Sequence, residues 1–433
     1  MNAFFEQLAQ TISPVSNFLT GLGIAVLIPI IIFIIAKAFG QTLRKSIIAA
    51  LTFGVAMIGL NVFIGLLINT VAPAATAMAE ATGSGKDIID VGWPVAAGIA
   101  FSTTAGVLII IVSLTVNFLM LVTKTTKTVN VDIWNFWNHA FTASVVTIAS
   151  GSLAIGLLAG AIHAAVCLII ADWKAKEVQE FYGIPGISIP HGWAITSVPI
   201  IIGVNWVLDR IPVVKDIKWD EGYIREKWGI FGNPLVLGCI LGLALGIFAG
   251  MWRNVSSLLT LSITVGAVMV LIPKVIALFM ESLSAVSEVA RTFFSKKFKD
   301  RELYIGLDSA ILIGHPVTVA AAVVLIPIVL ALAIILPGNR VLTLGDLAAL
   351  VYFVAMVPCL SKGNLFRSII CGMVIMTVVL YVLTSFGSSL TIMATDYAGL
   401  TIPEGATDIT ALSAGNWVTW ILFQIGRLFG GGA

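Results

Sequence analysis

Long apolar runs decide what this chain can be. Phe18–Phe39, Ile47–Val71, Val95–Val122, Gly151–Ala171, Pro234–Met251, Val255–Met280, Val317–Leu336 and Ile369–Thr384 each reach or approach the roughly 20 residues that cross about 30 Å of hydrocarbon. Charged residues are only 11% of the chain and hydrophobic residues 59%, whereas soluble domains carry about 25% charged residues. The surface therefore cannot be covered for water. The chain reads as an all-α polytopic protein of a bacterial cell membrane, multi-pass and surrounded by the lipid bilayer.

The net charge of +2 provides no field for binding nucleic acid. Cys167, Cys239, Cys359 and Cys371 lie scattered in or beside apolar runs. They show neither metal-ligand nor disulfide spacing and read as small buried hydrophobes. No basic leader and cleavage site precede the first span, so that span is expected to act as its own insertion signal. Two polar stretches fit helices lying in the headgroups. In Ala285–Phe298, apolar Val286, Val289, Phe293, Phe294 and Phe298 alternate with Arg291, Lys296 and Lys297; Asp172–Phe181 is a weaker case.

The chain also repeats itself. Gly151-Ser-Leu153 with Gly160 resembles Gly363-Asn-Leu365 with Gly372, and Val129-Asn-Val-Asp132 resembles Thr343-Leu-Gly-Asp346. Ile189-Pro-His-Gly192 resembles Ile402-Pro-Glu-Gly405, which would make Glu404 the counterpart of His191. All fall at an offset of about 212–214 residues, in one order, as a duplicated fold would place them. Basic loops then swap between the halves. Lys37, Arg44 and Lys45 stand against Arg253, and Lys124 and Lys127 against Arg340. Lys86 alone stands against Arg291, Lys296, Lys297, Lys299 and Arg301. The positive-inside rule reads this as opposite topology, with the N-terminus outside. The expectation is about ten to eleven transmembrane elements in two inverted repeats with broken and re-entrant helices. Residues 1–208 would form the first repeat, 209–233 a cytoplasmic linker and 234–433 the second.

In such an architecture substrate chemistry sits where backbone regularity breaks inside the membrane. Asp90-Val-Gly-Trp-Pro94, Val131–His139, Gly183–Gly192, Gly306–Pro316 and Pro358–Arg367 combine Gly or Pro with polar groups in apolar surroundings. Asp308 and His191 are the leading candidates, since an ionisable group there is costly to keep; pairing with backbone in a re-entrant turn is the alternative. Asn138 and His139, beside Trp134, Phe136 and Trp137, fit either a polyol site or an interfacial aromatic belt. Trp93 offers an apolar face to sugar C–H groups or marks a tight turn. His315 before Pro316 either binds or caps the next helix. His163 reads as a satisfied core residue, and Asp132 and Asp346 as helix N-caps. No Walker A motif and no phosphocysteine loop is present, so ATP-driven pumping is excluded and no cofactor, metal or catalytic residue is expected on this chain.

The segments Asp90–Pro94, Val129–Asn135, Ile189–Gly192, Ile305–Asp308, Pro337-Gly-Asn339 with Gly345-Asp346-Leu347, and Gly363–Arg367 resemble the galactitol permease (enzyme IIC) family of the phosphotransferase system, related to the ascorbate permeases. The resemblance covers nearly the whole chain. It implies a homodimer with transport core and dimerisation parts drawn from both repeats. It also implies a sugar alcohol or related sugar as substrate, and cytosolic IIB and IIA partners, the phosphoryl chemistry lying on the phosphocysteine of IIB. Substrate contacts are expected from Trp93, Asn138, His139, His191, Asp308, His315, Gly363 and Asn364. Galactitol permeases carry a histidine where Asn138 stands, so the hydroxyl-binding group there differs. An ion- or proton-coupled secondary transporter is the rival reading. It would want paired intramembrane carboxylates, and Asp308 has no evident mate in the sequence.

Overall fold

The computed structural model describes residues 24–56, 58–59, 62, 86–130, 132, 136–219, 233–267, 270–271, 274–275, 278, 281–282, 289, 302–343, 345–400, 402 and 406–430. Trp134, Glu404 and nearly all of the expected Ala285–Phe298 helix lie outside these residues.

The apolar runs are helices. α1 (Ile24–Ala38) and α2 (43–56) precede β1 (Ile88–Asp90), α3 (Trp93–Ser102), α4 (Thr104–Val122) and β2 (Thr128–Asn130). Then follow α5 (Trp137–Ser150), α6 (Leu153–Tyr182), β3 (Ile187–Ser188) and α7 (Val198–Leu208). The second half contains α8 (Pro234–Phe248), α9 (Val255–Ala267), β4 (Tyr304–Gly306), α10 (Pro316–Ile335) and β5 (Val341–Leu342). It continues with the short α11 (Leu350–Phe353) and α12 (Val357–Leu360), then α13 (Leu365–Thr384), α14 (Gly387–Ile392), β6 (Asp408–Thr410) and α15 (Trp417–Phe429). Among the described residues α4, α6, α10 and α13 are long and apolar enough to cross a membrane by themselves.

Two sequence expectations change here. Val95–Val122 is not one span, because the chain breaks at Thr103, whose backbone is extended. The Thr103 hydroxyl accepts from Gly106 N (2.9 Å) and caps α4, while Gly106 lies so close to the Ala100 carbonyl that a side chain there would collide. Asp172–Phe181 is not a separate interfacial helix either, but the last turns of the 30-residue α6. Asp172 is used up locally: its carboxylate accepts from the Thr126 hydroxyl (2.7 Å), Lys127 N (2.8 Å) and the Thr128 hydroxyl (2.7 Å).

The fold is not purely helical. Among the described residues, six short strands form a pair of three-stranded parallel sheets, in the orders β5-β1-β6 and β2-β4-β3. In each sheet the central strand comes from one half of the chain and both flanking strands from the other. The chain leaves helical geometry at these points, and its peptide groups, lacking water, are satisfied by the parallel ladders. At the starting edge of each sheet stands an ion pair between the two halves, Arg340 with Asp87 and Lys127 with Glu302. Hydrogen bonding to the Arg340 guanidinium holds the Asp87 carboxyl below its usual range. That pair therefore contributes above the ordinary Asp pKa of about 3.9 and is lost as pH falls through the lower folded value. Partial exposure of both groups keeps the contribution small.

Helix pairs follow the same correspondence. Gly151 (φ 65°) turns α5 into α6, and Gly363 (φ 71°) turns the α11–α12 segment into α13. Gly160 lets α6 close on Ile109 of α4, and Gly372 lets α13 close on Leu325 of α10. The Ile402–Gly405 match does not survive, because Ser188 pairs with Gly306 at the end of one central strand while Thr410 pairs with Asp90 at the end of the other. That register carries His191 onto Ser413 rather than Glu404.

If these close approaches hold the helices, Gly160→Leu and Gly372→Leu should each destabilise the protein by about 1–3 kcal/mol. The decrease in thermal unfolding temperature of the purified protein in detergent measures it, and Gly203→Leu, where a side chain meets open space, should be nearly neutral.

Candidate functional site

β2, β3 and β4 run parallel and end together, delivering Asp132, the Pro190-His191-Gly192 turn and Asp308 to one region. Asp308 begins a short 3-10 turn, Ser309–Leu312, and accepts from Ala310 N (2.8 Å). It is buried, and its charge acts on the rings of His191 and Tyr352. His191 is half-buried. Its Nδ1 accepts from Ala194 N (3.1 Å) and Trp193 N (3.3 Å), so in the neutral ring the proton sits on Nε2, which can donate. The alternative of a backbone-paired turn is thus partly realised. Each residue caps its own turn through one atom, and that bond fixes the direction of the rest of the side chain.

The first turn of α5 packs against this region. A Cβ on Gly192 would lie 2.6 Å from that of Asn138, so glycine is what allows the His191 turn to touch α5. His139 faces inward. Its Nδ1 meets the Ser113 hydroxyl (3.0 Å), its ring stacks on Phe136 (centroids 5.4 Å apart) and meets His163 edge-on (5.0 Å). Its Nε2 is buried with no hydrogen-bond partner among the described residues. A buried unpaired ring nitrogen costs about 1–3 kcal/mol, a cost that a bound hydroxyl or water would offset.

His163 is a satisfied core residue, as the sequence indicated, yet it belongs to this cluster. Its Nδ1 pairs with the Thr142 hydroxyl (2.7 Å), and its Nε2 donates to the Gly192 carbonyl (3.0 Å). Thr142 is bonded in turn to Thr419 of α15 (2.7 Å). His163 therefore pins the turn that carries His191. His139, His163 and Cys167 bring their ligand atoms within 4.8 Å of one another, but both His163 nitrogens are already engaged, and a metal would have to break the Gly192 bond. Sequence reasoning missed Trp193, Tyr352 and Ser113. Trp193, directly after His-Gly, is buried against Phe353 (centroids 4.4 Å) with its indole N–H unpartnered among the described residues.

The other candidates lie elsewhere. Trp93 stands at the end of the β5-β1-β6 sheet and starts α3, its backbone N–H donating to Asp346 (2.7 Å). Asp346 is a cap, but for this helix of the first half rather than for its own following turn. His315 caps α10 through Val317 N (3.2 Å) and packs on Phe181 (4.8 Å). A Cβ on Gly363 would lie 3.7 Å from the same Phe181 ring. Asn364 caps α13 at Arg367 N (3.1 Å) and donates to the Ile217 carbonyl (2.7 Å), while Arg367 pairs with Asp209 (2.7 Å). His315 and Gly363 thus share Phe181, and Asn364 and Arg367 tie the start of α13 to Ile217 and Asp209. Asn138, His139, His191 and Asp308 gather at the first site.

Interrupted helices meeting at buried polar groups define a membrane permease. Residues 17–405 match the family of PTS system sugar-specific permease components, and the chain belongs to that family. It is 40% identical over 409 residues to an Escherichia coli K12 protein described only as a permease IIC component, covering 94% of this chain and 93% of the relative. It is 36% identical over 413 residues to the galactitol-specific EIIC components of Escherichia coli K12 and O157:H7, covering 95% of this chain and 91% of each.

Replacing His163 with Ala removes its bonds to Thr142, which keeps Asn138 and Thr419 as partners, and to the Gly192 carbonyl, whose loss of a buried donor costs about 1–3 kcal/mol. His163→Ala should therefore unfold at a lower temperature, and retained stability would show that the turn is held by other contacts.

Proposed function

We propose that the chain is the polyol-conducting subunit of a phosphotransferase system, with galactitol or a close stereoisomer as substrate. The single observation that carries the reading is that the parallel strands deliver both the His191 turn, whose Nδ1 is held by backbone N–H groups, and the buried Asp308 carboxylate, whose charge acts on the His191 ring. A polyol has only hydroxyls for polar handles, each both donor and acceptor, and such a pair addresses both functions. Asn138 and the unpartnered His139 Nε2 extend the same face, and the galactitol-specific relatives favour a hexitol.

In this reading residues 1–208 and 234–433 are inverted repeats joined by a cytoplasmic linker at 209–233, and two copies form the working permease. The exchanged sheets and the paired Gly151 and Gly363 turns support the duplication; the swap of basic loops supports the inversion. The permease binds the polyol from outside and exposes it inward. There a substrate hydroxyl attacks the phosphoryl group on the cysteine of IIB, so that an O–P bond forms, the S–P bond breaks and the thiolate leaves; IIA recharges IIB.

Asp308→Asn and His191→Ala should lose roughly tenfold to several hundredfold in affinity, read by equilibrium binding of labelled galactitol to variants matched for monodispersity. Normal binding by both would move the site elsewhere. Uptake into vesicles should require phosphoenolpyruvate and the soluble phosphotransfer proteins and should deliver a sugar phosphate. Accumulation of unmodified sugar under a proton gradient alone would favour the coupled carrier instead. Single cysteines at Lys297 and Ser84, in counterpart loops of the two halves, should be labelled from the cytoplasm and from outside respectively, and labelling of both from one side would remove the inverted topology.

A further inference from the structure

The two sheets differ at the ends of their central strands. β4 ends on Gly306, whereas β1 ends on Asp90, which is buried. Asp90 accepts from Gly92 N (3.1 Å) through one oxygen and from Asp346 N (2.9 Å) through the other. Asp346, fully buried, accepts from Trp93 N (2.7 Å) through one oxygen and from both the N–H (3.0 Å) and the hydroxyl (2.7 Å) of Ser413 through the other. Two carboxylates thus lie together inside the protein, and among the described residues no Lys, Arg or His pairs with either. Arg340 sits at the opposite edge of the sheet, occupied by Asp87 and Asp408.

Threonines flank Asp90 on both sides. Thr410 is its register partner in β6, and Thr343 follows Leu342, the partner of Ile89 in β5. Residues in register across a parallel sheet point to one face, so Thr410 shares the face of the Asp90 carboxylate, and Thr343 is the residue directly after the paired part of β5. Each is fully buried, and neither hydroxyl has a hydrogen-bond partner among the described residues. Orphaned buried hydroxyls are rare and costly, and here a pair of them borders an uncompensated acidic pair.

We propose that Asp90, Asp346, Thr343 and Thr410 form a binding site for a monovalent metal cation of sodium's size. Carboxylate and hydroxyl oxygens are the ligands that hard cations take. Charge favours a single positive ion, since the N-terminus of α3 supplies about half a positive charge against two carboxylates. A carboxylate oxygen with a single N–H partner keeps a second lone pair, and a proton shared by the two carboxylates is the competing occupant that the test separates from a metal cation. A bound cation would tie the start of α3, which carries Trp93, to the Leu412–Ala414 turn of the other half.

The test is thermal unfolding of the purified full-length protein in NaCl against choline chloride at constant ionic strength and pH. Sodium should raise the unfolding temperature saturably, by roughly 2–5 °C. Asp90→Asn and Thr410→Val should abolish the response, whereas Asp87→Asn, at the far edge of the sheet, should keep it. The near-isosteric Thr410→Val carries the test should Asp90→Asn fail to fold. Equal stability in both salts, or an undiminished response in Thr410→Val, would overturn the proposal and leave the carboxylates as helix caps. Stabilisation by acid in place of sodium would likewise overturn it, showing that the pair holds a proton.

Discussion

Everything in this molecule follows from the rule that a peptide group out of reach of water must find its hydrogen bond within the protein. Continuous helices meet the rule by themselves. A substrate site cannot be built from them alone, because it needs polar groups and non-helical backbone in the interior. The chain answers with parallel sheets that each borrow strands from both halves. The ladder satisfies the unwound backbone, and the strand ends become the points from which side chains converge.

The same exchange of strands explains how the halves are held together. No strand can leave its sheet without stranding backbone groups of the other half, and each sheet is closed at its starting edge by an ion pair across the halves. At the far edges the sheets diverge in chemistry. One ends on Gly306 and opens onto His191 and Asp308; the other ends on Asp90 and is locked by Asp346 and Ser413. The difference between the two sheets is therefore chemical, with a histidine-bearing pole and an acidic pole.

Around His191 the side chains divide their labour by atom. His191 and Asp308 each use one polar atom to fix a local turn, and His163 uses both nitrogens to fix the turn beneath them. The groups left without partners, His139 Nε2 and the Trp193 indole, lie in the same neighbourhood. Buried polar atoms without partners are exceptional, and among the described residues these two lie beside the His191 turn.

The sequence by itself determined the solvent and the helical class and marked out, as candidates, the interrupted segments that carry Asn138, His139, His191 and Asp308, because hydropathy, glycine spacing and the cost of a charge in lipid are local properties of the chain. It also led to the family, through motifs spread over nearly the whole length. Only the tertiary structure decided which of those segments meet. It showed His315 and Asn364 as helix caps with partners of their own and gave His163 a supporting role. It aligned His191 with Ser413 instead of Glu404, and revealed the mate of a buried carboxylate as Asp346 beside Asp90. Strands of two or three residues carry no periodic signal, and their partners lie in the opposite half of the chain. Their register is set by backbone hydrogen bonds that exist only once both halves have folded against each other.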